Sequence, residues 1–372
     1  MNVGFLTPVV YPFVKGGVEK RIHEVGSRIA DRGHEVTIYS RHWWDGPRQK
    51  KYEGMTLHAI APSRELYPNG DRRSTSGSLE LAARSFSPLL RSNHDLVVTP
   101  VAPYFHVFSS KFATLFQSTP LVVTWHEVWT EYWKQYMGPA GSIGMIVEKA
   151  AAKIPQHSVT PSEMTAENLS ALCPSRADIE VIPNGIDFED IQATTSAKNG
   201  FDVVYVGRLI QDKNVNWLLD SFDSVATSYD ITLGIIGDGP CLKNLQEHAH
   251  GLESSDRISF LGFLDEYDDV IAHMKAADIF VSPSTREGFG ITLLEAMASN
   301  CLVITVEHPN SAGSEVVGDA GFVTEPSTES IADTLEKVLA GKQPNRNPIE
   351  VAKQYDWEFI TNATIQYYST LI

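Results

Sequence analysis

Cysteine is scarce in this 372-residue chain: Cys173, Cys241 and Cys301 are the whole complement. Three thiols so scattered make neither a disulfide framework nor a zinc site, and a reducing compartment is the expectation. Long apolar runs are lacking as well. None approaches the ~18 residues that a spanning helix needs. The opening MNVGFLTPVVYPFVKGG has no basic segment ahead of a long apolar core, so it does not read as a signal peptide. Tandem repeats are missing, and 42% hydrophobic with 20% charged residues excludes a disordered chain. No Asp-x-Asp triplet marks a carboxylate-held divalent cation, and no GxxxxGK[ST] marks a P-loop.

Cations are in short supply in the second half. Residues 1–190 hold 19 Lys+Arg and 20 Asp+Glu, residues 191–372 hold 11 and 26, and the whole carries a formal net charge of −16. The acidic half repels nucleic acid and has no basic stripe with interleaved aromatics, so no nucleic-acid partner is expected. An anion bound there must be held by a few placed cations and by helix N-termini. The near-neutral first half approaches an anionic surface more easily. A cytoplasmic protein with peripheral contact at the inner membrane face, through that half, is the expectation.

What is present is an alternation of short Val/Ile-rich runs with longer amphipathic stretches. Expected strands are Val3–Leu6, Glu35–Tyr39, Thr56–Ile60, Leu96–Thr99, Leu121–Trp125, Ser158–Thr160 and Ile179–Ile182, then Asp202–Val206, Thr232–Ile236, Ile258–Leu261, Ile279–Val281, Leu302–Thr305 and Gly321–Val323. Helical patterns include Val18–Asp31, Trp217–Thr227, Leu242–Ala249, Ile291–Ser299 and Ile331–Leu339. Repeated βαβ units of this kind give parallel sheets. The aperiodic stretch Asn184–Gly200 reads as a linker between two doubly wound α/β domains with a cleft between them. Ser63–Asn93, with Pro68-Asn69-Gly70 and a Ser/Thr/Gly cluster, reads as a mobile loop. The amphipathic tail Trp357–Leu371 reads as a final helix on either domain.

Four segments carry candidate chemistry. In Lys15-Gly16-Gly17-Val18-Glu19, two glycines follow a strand and open a helix, so the backbone can approach an anion. In Val206-Gly207-Arg208 through Lys213-Asn214, Arg208 and Lys213 are two of the acidic half's few cations. They follow a strand's carboxyl end, where doubly wound sheets bind ligands, and can converge on one diphosphate. In Arg286-Glu287-Gly288-Phe289-Gly290-Ile291 through Glu295, a glycine turn leads from a strand into a helix whose positive end again suits an anion. Eight helical steps separate Glu287 from Glu295, a rise of ~12 Å. That is far from the ~5 Å of a retaining glycosidase's carboxyl pair, and it suits two ends of an elongated ligand. In Thr124-Trp125-His126-Glu127 a strand ends on a histidine. Gly237-Asp238-Gly239-Pro240 lacks the third glycine of a dinucleotide fingerprint and reads as a tight strand-to-helix turn.

Taken together and in order, GGVEKRIHEVGSRIADRGHEVTIYS, TWHEVW, VIPNGIDFED, VGRLIQDKN and REGFGITLLEAMASN resemble the retaining GT-B glycosyltransferases of family 4, the group 1 glycosyl transferases. The last segment is similar to the family's E-x7-E signature. The resemblance implies an α/β GT-B fold: two doubly wound Rossmann-like domains facing across a cleft, with the C-terminal helix crossing back to the first. Residues 1–190 with 357–372 would form the acceptor-side domain and 191–356 the nucleotide-sugar-binding domain. Arg208 and Lys213 would hold the donor diphosphate, with Gly16 and Gly17 near it. Glu287 would contact the transferred sugar and the backbone of Gly288, Phe289, Gly290 and Ile291 its hydroxyls and phosphates. Glu295 would bind the ribose, Gly262 and Phe263 would border the base, and His126 would lie beside the reacting carbon. The aromatic stretch Trp125, Trp129, Tyr132, Trp133, Tyr136 departs from a plain linker and reads as a packed lid or an acceptor platform.

The implied reaction moves a hexose from a nucleoside-diphosphate sugar, GDP-mannose or a UDP-sugar, to a hydroxyl of a glycan or lipid-linked acceptor, in polysaccharide or glycolipid synthesis. No cofactor beyond that co-substrate, and no metal, is expected: Arg208, Lys213 and a helix start would stabilise the leaving diphosphate, and domain closure would exclude water. A non-catalytic nucleotide-sugar-binding subunit and a GT-B-type epimerase remain as alternatives. The broken fingerprint at Gly237 disfavours an NAD dehydrogenase.

Overall fold

The Val- and Ile-rich runs form strands because β-branched side chains fit a pleated surface covered on both faces. The computed structural model describes residues 1–65, 74–175 and 179–372. The chain divides into two units, Met1–Pro183 with Trp357–Ile372, and Asn184–Asp356. The division falls seven residues ahead of position 191.

In the first unit the strands are β1 (Asn2–Leu6), β2 (Glu35–His42), β3 (Gln49–Tyr52), β4 (Met55–Pro62), β5 (Leu96–Pro100), β6 (Leu121–Thr124), β7 (His157–Thr160) and β8 (Ile179–Val181). They form one sheet in the order β3-β4-β2-β1-β5-β6-β7-β8. All neighbours are parallel except β3 and β4. The helices Gly17–Asp31 and Trp357–Ser369 cover one face, burying Ile22, Val25, Ile29, Trp357 and Ile360 with Phe5. The helices Thr75–Leu90, Phe105–Leu115, Gly141–Lys153 and Glu163–Leu172 cover the other, burying Leu81, Val107, Ala151 and Leu169 with Leu6. The C-terminal helix therefore belongs to the first unit. Its Trp357 is fully buried, and Glu358 meets Arg28 of the first helix (3.3 Å) and Arg32 just past its end.

In this unit one strand is added to the expected set and one expectation is corrected. The edge strand β3 has no apolar alternation in its QKKY. It forms because Glu53 and Gly54, both at positive φ (46° and 75°), close a tight hairpin onto β4. Part of the expected loop Ser63–Asn93 is the helix Thr75–Leu90: Ser74 Oγ caps it by accepting from Gly77 N at 3.2 Å, and Leu81 and Leu89 bury its inner face. Pro68-Asn69-Gly70 lies outside the described residues.

In the second unit β9 (Val203–Val206), β10 (Leu233–Ile236), β11 (Ile258–Gly262), β12 (Ile279–Ser282), β13 (Leu302–Val306) and β14 (Phe322–Thr324) run parallel in the order β11-β10-β9-β12-β13-β14. This order reverses direction between β9 and β12, which makes their carboxyl ends the switch point where such sheets take ligands. The stretch Asn184–Gly200 is not a bare linker. It contains the helix Phe188–Ala193, held because Phe188 and Ile191 are buried in this unit's core and Phe188 N donates to Asp356 Oδ2 at 3.2 Å.

The turn after β10 is locked by backbone proximity. Gly237 has φ +140°, and a Cβ there would lie 1.9 Å from the Gly207 carbonyl oxygen. Leu209 N donates to Asp238 O at 2.9 Å and Cys241 N to Leu209 O at 2.9 Å. Gly237→Ala is expected to add a main-chain clash to the ~1–3 kcal/mol of a strained φ. Gly341→Ala, at φ +95° with open space around it, should cost only the latter. Urea midpoints of the two variants check this, and equal shifts would contradict the close approach.

Candidate active site

The loop after β9 and the loop after β12 are joined at the switch point. Asn214 stands at positive φ (46°), a conformation a small amide side chain tolerates. Its Nδ2 donates to Asp212 O (3.2 Å), Pro283 O (3.2 Å) and Thr285 Oγ1 (2.9 Å), while Thr285 N donates to Asp212 O at 3.0 Å. This mesh carries Lys213 to Glu287, and Lys213 Nζ donates to Glu287 Oε2 in an ion pair whose side chains are only 17% and 25% exposed. Glu287 is fixed through its backbone: its N–H donates to Asn310 O (3.1 Å) and its carbonyl accepts from Ala312 N (2.8 Å).

Behind Glu287 the chain turns into the helix Ile291–Ala298. Gly290 caps it in the left-handed region at φ +95°, and a Cβ there would meet Leu293 Cδ1 at 2.7 Å. Gly288 and Gly290 are buried, and Phe289 packs its ring 5.9 Å from that of Tyr355. The helix N-terminus thus opens next to the Lys213–Glu287 pair. One turn on, Glu295 is buried and its Oε1 accepts from Tyr267 OH at 2.8 Å. Arg208 lies on the β9 loop with an exposed side chain, and its carbonyl accepts from Tyr205 OH at 3.2 Å. Burial, with the Glu287 charge adding to it, pushes the Tyr205 phenol far above its ordinary range, so it remains a donor. Gly262, at the end of β11, accepts from Gly237 N at 2.8 Å and stands at φ +72°, and Phe263 beside it is exposed.

The remaining candidates belong to the first unit. Gly16 and Gly17 are exposed at the start of the helix Gly17–Asp31, and a Cβ on Gly16 would meet the Glu19 carboxylate at 2.3 Å. His126 follows the end of β6, beside a cavity of about 20 Å³ that is also lined by Arg21, Thr124 and Tyr368. Arg21 is buried and donates to Ile182 O (3.0 Å) and Pro183 O. Burial first, and the Arg21 guanidinium second, push the His126 imidazole down to about 3. The aromatic stretch behind it forms one ring cluster: Trp129 lies 5.1, 4.8 and 5.0 Å from Tyr132, Trp133 and Tyr136. The buried Glu148 anchors the cluster by accepting from Tyr104 OH (3.0 Å), Trp129 N (2.8 Å) and Thr130 N (2.8 Å).

Sequence reading missed Asn214, Tyr267, Tyr205, Arg21 and Glu148. Asn214 had a local signal, an Asn directly ahead of a helical pattern. Tyr205 acts locally, on the Arg208 carbonyl three residues on, and Tyr267, Arg21 and Glu148 act across the fold; none of the four left a signal.

A neutral native imidazole has a consequence for stability. The unfolded His126 takes up a proton below its ordinary 6.5 and the folded one does so only near 3, so the group's contribution is complete above 6.5 and is lost as pH falls from 6.5 towards 3. Within that window wild type should lose about 1.4 kcal/mol per pH unit relative to His126→Asn. Denaturation at stepped pH checks this, and parallel curves for the two proteins would contradict it.

Comparison with known proteins agrees with this fold. Residues 15–190 match the profile described as Glycosyltransferase Family 4, and residues 187–355 match Glycosyl transferases group 1. The α-monoglucosyldiacylglycerol synthase of Streptococcus pneumoniae is 27% identical over 345 residues, 87% of this chain and 74% of that protein. The N-acetyl-α-D-glucosaminyl L-malate synthase of Bacillus anthracis is 23% identical over 380 residues, 97% and 94% of the two chains. Among solved structures, HepE from Anabaena in complex with UDP and glucose superposes with a TM-score of 0.76 at 20% identity over the whole of both chains. Two Rossmann-like parallel sheets, the fold of these neighbours, and two adjoining family profiles lead to one conclusion: this chain belongs to the group 1 glycosyltransferases of GT-B fold.

Proposed function

We propose that this glycosyltransferase moves a hexose from a nucleoside-diphosphate sugar to a hydroxyl of a glycan or lipid-linked acceptor, with retention at the anomeric carbon and without a metal ion. The observation that carries the reading is the Lys213–Glu287 pair beside the N-terminus of Ile291–Ala298. As the donor's glycosidic bond breaks, negative charge grows on the leaving diphosphate. Lys213, Arg208 and the helix start are the groups of this unit that can meet that charge. A diphosphate that draws the Lys213 ammonium away releases a Glu287 oxygen for a sugar hydroxyl. The buried Glu295 suits a vicinal diol such as a ribose.

Retention needs either a covalent intermediate or departure and attack on one face of the sugar. Glu295 is engaged by Tyr267, and the Glu287 oxygen that Lys213 gives up is taken by the sugar hydroxyl. Neither is presented as a nucleophile, which favours same-face displacement assisted by the leaving diphosphate. HepE's complex with UDP and glucose and the pneumococcal relative's glycolipid name support a UDP-hexose donor and a lipid-linked acceptor.

The test is release of nucleoside diphosphate from a panel of UDP- and GDP-hexoses after dialysis against chelator. Arg208→Ala and Lys213→Ala should each lower kcat about 10²–10³-fold, the size of losing one transition-state donor, ~2–4 kcal/mol. Glu287→Gln should fall with them, and the product's anomeric signal by NMR should match the donor's. Turnover near normal in all three variants would overturn the assignment, and donor binding without release would mark a non-catalytic binding subunit.

A further inference from the structure

We propose that Tyr267 is a positioning residue that aims the Glu295 carboxylate at the donor's ribose, so that the site prefers a ribonucleotide to its 2′-deoxy counterpart. This deepens the proposed function and rests on the reading that sets Glu295 against the ribose. Tyr267 OH donates to Glu295 Oε1 at 2.8 Å, and Glu295 is buried at 6% exposure. A glutamate needs such a partner. Its carboxylate turns about a torsion with a broad minimum, so burial alone does not aim it. A phenol aims the carboxylate without setting a counter-charge on it, in contrast to the lysine that pairs with Glu287. It takes one of the roughly four acceptor positions that a carboxylate offers.

The fold holds this donor still from both ends of its helix. Tyr267 opens the helix Tyr267–Lys275 and packs against the core that takes Ile271 and Met274 from its own helix and Leu294, Ala296 and Met297 from the helix of Glu295. At the far end Lys275 Nζ donates to Ile191 O (3.0 Å) and Gln192 O (2.7 Å), and Cys301 Sγ donates to Met274 O at 3.0 Å. At the near end the loop into Tyr267 starts from Gly262, whose carbonyl accepts from Gly237 N at 2.8 Å. The neighbours Asp265, Glu266, Asp268 and Asp269 are exposed carboxylates, and Tyr267 between them is half-buried and turned inward. A carboxylate held in this way accepts and does not donate, which matches it to hydroxyl groups. A ligand without the 2′-hydroxyl leaves a buried charged acceptor one donor short, and that is the costly kind of loss.

Calorimetric titration of the intact chain with UDP, GDP and their 2′-deoxy counterparts tests this. Wild type should bind the better ribonucleotide about tenfold or more tighter than its 2′-deoxy form, the size of one hydrogen bond to a charged acceptor. Tyr267→Phe keeps the ring and its packing. It should narrow that preference to about threefold or less by weakening the ribonucleotide alone, because only the aim of the charged acceptor is lost. Glu295→Ala should erase the preference. In turnover, Tyr267→Phe should raise the donor KM and leave kcat within about twofold, since the ribose contact is the same in the ground and transition states. An unchanged preference in Tyr267→Phe, or equal weakening of both nucleotides, would overturn the proposal and leave the ribose reading of Glu295 standing. A wild type that binds both nucleotides alike, or neither, would instead sink that reading and the proposal with it.

Discussion

The proposed donor site depends on a cation that the rest of its unit is built to hold still. Lys213 sits on a loop that would wander if it were free, in a half where acidic side chains far outnumber basic ones. Three constraints prevent that. Gly237 lets the neighbouring turn press against Gly207, Asn214 binds the loop to the segment after β12, and Glu287 takes the ammonium itself. A partly buried pair of this kind contributes little net stability, because desolvation offsets much of the attraction. Its value is positional: each charge keeps the other in place and neither is left unpaired.

Preorganisation of that sort suits a reaction in which charge grows on a leaving group. Dipoles and cations already aimed at the developing charge need no reorganisation when it appears. The helix start at Gly290, the ammonium of Lys213 and the guanidinium of Arg208 differ in how they are held. Gly290 is fixed by a conformation other residues resist, and Lys213 by its partner, while Arg208 extends from the loop with an exposed side chain. Arg208 is therefore the group with the most freedom to adjust to a ligand. In the first unit the same economy appears in reverse: Arg21 lies buried among carbonyl oxygens, and its charge together with burial keeps His126 neutral.

Much of this was legible in the sequence, and the reasons are local. Runs such as VVYV and LVITV alternate with amphipathic stretches, and that pattern by itself specifies parallel strands and covering helices. Arg208, Lys213, Glu287 and Glu295 stood out because cations are rare in that half and glycines punctuate the turns around them. What escaped was whatever depends on contact at a distance. The strand Gln49–Tyr52 has polar side chains at a sheet edge, so no period betrays it. The helix Thr75–Leu90 hides behind serines and glycine that read as a loop. Tyr267 and Glu148 are ordinary residues in a linear reading and gain their roles only when Glu295 and Trp129 fold against them. The turn at Gly237 was readable as tight, yet only the fold shows that its tightness serves the loop that carries Arg208.

The central claim is that the Lys213 ammonium is held in readiness for a diphosphate. Calorimetric titration of wild type and Lys213→Ala with UDP and GDP, and with the parent nucleosides, addresses it most directly. Loss of the cation should weaken the better-bound nucleoside diphosphate by tenfold or more and leave its nucleoside unaffected. An unchanged ratio of diphosphate to nucleoside affinity in the variant would contradict it.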